Sequence, residues 1–133
     1  MNLAQLNESL VLLIDKKSGL AAMSYSDDKY DDLEEELHDL EDDFLSKYGS
    51  YLEEALHDVH DEFCPDNEVL LPIAYLPKSY QKDVGGVIVD NTQGVYVDVD
   101  DYEETETKLV LVPDPVRIIL NIGKNRQEVV WQP

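Results

Sequence analysis

Hydrophobic positions recur along this chain with two different periods. Between residues 33 and 63 they return every three or four residues, as Leu33, Leu37, Leu40 and Phe44, then Leu52, Leu56, Val59 and Phe63. That spacing lays them on one stripe of an α-helix. From residue 95 onward the period falls to two. The alternation is clear in Val95, Val97 and Val99, in Leu109 and Leu111, and in Ile118, Leu120 and Ile122. Alternation of this kind belongs to β-strands.

The first 26 residues fit two patterns. Leu3, Leu6, Leu10 and Leu13 suit a helical stripe. The apolar runs on either side of Lys16-Lys17-Ser18-Gly19 suit a β-hairpin, with Gly19 closing the turn. The hairpin is the predicted form, after a short N-terminal helix or coil.

Residues 27–63 are predicted helical. A single helix over residues 28–63 would be about 54 Å long, which is long for a small domain. Gly49 offers a C-terminal cap, and Ser50-Tyr51-Leu52-Glu53 reads as a capping box that starts a new helix. The expectation is two helices, about 28–48 and 50–63, with one kinked long helix as the alternative.

The remaining chain, 64–133, predicts strands at Val69–Leu76, Val84–Asp90, Gly94–Asp100, Thr107–Val112, Val116–Ile122 and Glu128–Trp131. The short links between them permit only antiparallel neighbours, because a parallel crossover needs a dozen or more residues. The fold class is therefore α+β: one domain over residues 1–133, an antiparallel meander with one buried face packed against two acidic helices. The helices either cover the sheet or project as an arm. In the second arrangement they would serve a homodimer.

Composition changes this picture through charge. The 133 residues carry 30 acids against 10 Lys and Arg, a net of -20, with a pI near 4.1. Residues 1–26 are neutral, residues 27–62 hold -14 and residues 63–133 hold -6. The excess is thus mainly the surface of the helical segment. It argues against a nucleic acid or an anionic membrane as partner. With 43% apolar residues the chain is not a disordered acidic tail. The longest N-terminal apolar run, Leu10–Ile14, is too short for a signal peptide core or a membrane span, so a cytoplasmic protein is expected. A lone Cys64 among Asp61, Glu62 and Asp66 makes no disulfide framework and a poor nucleophile.

The helical segment contains a duplication. Residues 33–44 and 52–63 are identical at eight of twelve positions, at an offset of 19. Both copies hold Glu-x-x-His, as Glu35 with His38 and Glu54 with His57, a spacing found in di-iron bundles. Each pair lies outside the apolar stripe, and the chain supplies two or three helices where such a bundle needs four, so that reading would require a dimer to complete the bundle. A surface ion site remains: Glu53, His57, His60 and Asp61 fall on one side of the second helix, with a donor set that suits zinc. The plainer account of the same face is a solvated acidic surface. Asp98, Asp100, Asp101, Glu103, Glu104 and Glu106 crowd one turn without the Gly and flanking helices of a calcium loop.

No phosphate loop or nucleophile elbow is present, so catalysis has little support. The leading expectation is a small acidic binding module, of the inhibitor, immunity or adaptor type, that covers a basic surface on a partner protein. The candidate contact residues are Glu34, Glu35, Asp42, Glu53, Glu54 and Asp61, with Tyr48 and Tyr51 as aromatic anchors at the helix break. The alternatives are a divalent-metal protein and a soluble domain whose acidity serves only solubility.

Overall fold

The computed structural model describes residues 2–133. It is an α+β fold. Helix α1 spans Leu3–Ala21 and α2 spans Tyr30–Phe63. A two-stranded hairpin follows, β1 (Gln81–Asp83) with β2 (Gly86–Ile88). Four strands, β3 (Val95–Val97), β4 (Thr107–Val112), β5 (Arg117–Ile122) and β6 (Arg126–Trp131), then form an antiparallel sheet in sequence order. Among the described residues no helix is long and apolar enough to cross a membrane.

The predicted N-terminal hairpin is instead α1. The Asn2 side chain caps it by accepting from Gln5 N–H at 3.1 Å. Leu6, Leu10, Leu13 and Ile14 make its buried stripe. Gly19, read as the turn residue, sits exposed in the last turn of the helix. Only Val11 and Ile14 in this run are β-branched, so a strand had little intrinsic support.

The predicted break at Gly49 is also absent, and α2 is one helix of 34 residues, about 51 Å long. A Cβ at position 49 would meet only Leu45, at 3.7 Å. The glycine therefore leaves a small space and does not end the helix. The capping-box residues Ser50–Glu53 lie in the helix interior, where every backbone N–H already has a partner one turn back.

Continuity changes what the duplication does. An offset of 19 residues turns a helix by five full turns and about 100° more. The two apolar stripes therefore face different ways. In the first copy, Leu40 and Phe44 meet Ser9, Leu12 and Leu13 of α1. In the second, Leu52, Leu56 and Val59 are almost wholly buried, and this half of the helix reaches Tyr75 and Trp131. Lys16 and Lys17 of α1 bridge to Glu36 and Glu41 of α2, at 3.0 and 4.0 Å, while Ser9 and Leu12 lie beside Phe44 and Tyr48, so the helices run antiparallel.

The sheet is covered on both faces, where the sequence predicted one. Leu109, Leu111, Ile118, Leu120 and Ile122 join the core beneath the helices. Val110, Val112 and Ile119 form a second core with Val87 and Val89 from the hairpin side. Gly86 permits that approach. Its φ is +116°, and a Cβ there would lie 2.0 Å from the Asp114 carbonyl oxygen. The same carbonyl accepts from Val87 N–H at 2.9 Å. The half-buried Arg117 closes the joint, donating to the carbonyls of Pro113, Pro115 and Val87 at 3.2, 2.7 and 2.6 Å. Burial pulls its pKa below the usual arginine value.

Two predicted strands take other forms. Val69–Leu76 is irregular chain and a short 3-10 turn at Pro72–Tyr75, since Pro72 cannot donate to a ladder. Val84–Asp90 supplies the hairpin turn and β2, after which the backbone carbonyls of Val89, Asp90, Thr92 and Gln93 bind side chains of the sheet. Gln127 donates to Val89 at 2.9 Å, Lys108 to Thr92 at 2.9 Å, and Asn121 to Gln93 at 2.9 Å and Asp90 at 3.3 Å.

Candidate functional site

The candidate acids sit on α2, but continuity separates them into two groups. Glu34, Glu35 and Asp42 lie toward its N-terminal end; Glu53, Glu54 and Asp61 lie toward its C-terminal end. The groups are about 28 Å apart along the axis and about 100° apart around it. Glu34 and Glu53 are half-buried, and the other four are exposed. The helix carries fourteen acids. Glu36, Glu41 and Asp43 pair with Lys16, Lys17 and Lys47, leaving eleven without a Lys or Arg partner among the described residues.

Tyr48 and Tyr51 do not mark a break and do not stand free. Tyr48 packs on Phe44, with ring centroids 5.3 Å apart, and Tyr51 meets Trp131 edge-on at 5.9 Å. Both are half-buried against the core.

The proposed ion face is divided by the fold. Asp61 and His57 are exposed, and Glu53 is half-buried, but His60 is 2% exposed. Placed about 40° from Leu56 on the helical wheel, it falls within the width of the apolar stripe. Its ring serves the interior. Nδ1 lies 3.1 Å from the Asn67 carbonyl oxygen and Nε2 lies 3.0 Å from the Tyr75 hydroxyl. A carbonyl only accepts, so Nδ1 donates. In the neutral ring Nε2 then accepts from Tyr75. The Tyr75 oxygen in turn accepts from Leu70 N–H at 3.0 Å. Both nitrogens are spent, and no cluster of three or more His, Cys, Asp or Glu side chains could hold a metal among the described residues.

This buried network fixes the strap of residues 64–71 that follows α2. Cys64 N–H continues the helix by donating to His60 O at 2.9 Å, and Asn67 N–H donates to Cys64 O at 3.1 Å. The Asn67 side chain accepts from Asp98 N–H at 2.7 Å and so ties the strap to the end of β3. Burial pushes the Cys64 thiol up to about 11, with Asp98 adding to the shift. It is an inert packing group.

Beside the strap, Glu53 and His57 of α2 and Glu68, Val69, Leu70 and Leu71 line an open groove of about 390 Å³. Leu70 is 39% exposed and Leu71 is 53% exposed. The strap residues were missed from sequence because the Val69–Leu76 run looked like a strand. Pro72, in the middle of that run, was the available signal.

Compared with protein-family models, curated proteins and solved structures, the chain matches none.

The acidic turn forms a second hollow, about 430 Å³, where Asp98, Glu103, Glu104 and Glu106 meet Tyr96. Asp100 and Asp101 lie in a 3-10 turn. The nearby cations have other engagements: Lys108 sits 4.4 Å over the Tyr96 ring and donates to Thr92, and Arg126 pairs with Glu128 at 2.5 Å.

Proposed function

We propose that this chain is a protein-binding module that covers a basic surface on a partner protein, in the manner of an inhibitor, an immunity protein or an adaptor. One observation carries the reading. A single uninterrupted helix presents eleven acids without a Lys or Arg partner among the described residues. Charges carried on a rigid helix need no backbone ordering when a partner arrives. They steer oppositely charged surfaces and raise association rates. The C-terminal group, Glu53, Glu54 and Asp61, is the stronger contact candidate, because that half of α2 is anchored on the core through Leu52, Leu56 and Val59.

The test is retention of proteins from a lysate of the source organism on the immobilised chain at low salt, followed by a salt step. The reading expects one basic protein in near-stoichiometric amount. With Glu53→Lys and Glu54→Lys together, association of that protein should slow roughly tenfold or more. Many weakly held proteins leaving together, or retention unchanged by the double reversal, would overturn it.

A further inference from the structure

The groove between α2 and the strap combines features that bulk acidity does not require. Its lining includes two exposed leucines of the strap, with Glu53 contributed by the helix and Glu68 by the strap. Neither acid has a Lys or Arg partner among the described residues. The strap that carries the leucines is tied to the rest of the fold by hydrogen bonds at Asn67 and Leu70. Asn67 O is held by His60, Leu70 N–H by Tyr75, and the Asn67 amide by Asp98. Leu71 then enters the Pro72–Tyr75 turn in an extended conformation, with φ -61° and ψ 145°. Two apolar side chains are thus held in water beside carboxylates by a strap whose hydrogen bonds run from the buried His60–Tyr75 pair to the exposed Asn67–Asp98 contact.

We infer that this groove receives an apolar side chain flanked by Lys or Arg, contributed by a segment of the partner protein. The inference rests on the basic-partner reading and gives that partner a local chemistry. Burying Leu70 and Leu71 supplies affinity through removal of apolar area from water. Glu53 and Glu68 then select flanking cations and reject acidic segments. A second copy of this chain fits poorly, since it would bring another -20 charge to the same surface. The volume is near the small end of ligand-sized cavities and is open-sided, which suits side chains of a polypeptide better than an enclosed small molecule.

The experiment uses two fluorescein-labelled peptides, one alternating leucine with lysine and one with serine in place of every leucine. Their binding to the whole chain is read by fluorescence anisotropy at 20 mM and 150 mM salt. The leucine peptide is expected to bind at least about tenfold more tightly at the higher salt. Leu70→Ser with Leu71→Ser should reduce that preference to within about twofold, and Leu71→Ser alone should reduce it in part. Glu53→Gln with Glu68→Gln should weaken both peptides. A circular dichroism melt shows that each variant is folded. Leu71 is the more exposed of the two leucines, so its single variant keeps the test if the double one unfolds. Equal binding of the two peptides, or a preference that survives loss of the leucines, overturns the groove and leaves the acidic-face reading standing. Absence of binding by either peptide at 20 mM salt overturns both.

Discussion

His60 and Cys64 show how burial assigns a role that residue type leaves open. His60 looks like a ligand beside Glu53, His57 and Asp61, yet its two ring nitrogens link Asn67 and Tyr75 inside the core. His60→Leu would leave the Tyr75 hydroxyl proton and the Asn67 carbonyl without their partner. Tyr75→Phe would do the same to His60 Nε2 and Leu70 N–H. An orphaned buried group costs roughly 1–3 kcal/mol, and each change orphans one at the buried His60–Tyr75 contact, so each single change should lower stability to urea by about 1–3 kcal/mol. The double change should cost less than the sum, because replacing both partners removes the shared unmet need. Additive losses would mean that the pair is not coupled. Cys64 adds a pH dependence. Its folded pKa is raised from 9.0 to about 11, so the neutral thiol contributes stability that is complete below 9.0 and lost as pH rises through 11. Relative to Cys64→Ala, the native chain should therefore lose stability between those values. At pH 8 the thiol should resist a disulfide reagent until the chain is unfolded.

At the level of elements, α2 decides most of what the sequence left ambiguous. Gly49 and the Ser50–Glu53 box are real local signals for a helix boundary. They lose because the segments on both sides have somewhere to bury their stripes, on α1 and under the sheet, while a break would expose backbone groups in a buried stretch. If Gly49 is only a mid-helix residue, Gly49→Ala should raise stability by about 0.5–1 kcal/mol, since the added Cβ meets Leu45 at ordinary contact distance. A destabilisation, measured by thermal or urea unfolding, would show that the helix needs glycine there. The strands β4 and β5 were legible nearly to the residue, because apolar runs bounded by short turns leave few options. Their continuous character, Leu109–Val112 and Ile118–Leu120, also held the evidence for a second covered face. Of the hairpin that covers it, β2 lies within the predicted Val84–Asp90 strand, but β1 was not legible, because a strand of three residues leaves no periodic pattern.

For the whole molecule, the charge map follows from sequence, but the shape of the charged surface follows from packing. Two similar acidic motifs on two helices could lie side by side on the sheet as one broad face. On one helix they become two patches set at different angles, and the C-terminal one adjoins the groove that holds the exposed Leu70 and Leu71. That is why the expected partner chemistry at this end is cationic and apolar together, and why charge reversal at Glu53 and Glu54 should have a larger effect on partner binding than at Glu34 and Glu35.

The sequence by itself determined the α+β class, the strands of the antiparallel meander, the helical nature of residues 30–63 and the concentration of acid upon it. These depend on periodicity, turn chemistry and charge, all local along the chain. Only the tertiary structure decided that α1 is a helix, that α2 is unbroken, that both sheet faces are covered and that His60 points inward. Each of those outcomes depends on which distant residues supply a surface to bury against or a partner for a polar atom: α1 and the sheet for α2, Val87 and Val89 for the far face of the sheet, and Tyr75 with Asn67 for His60. Such partners lie many residues away in the chain, and no local pattern names them.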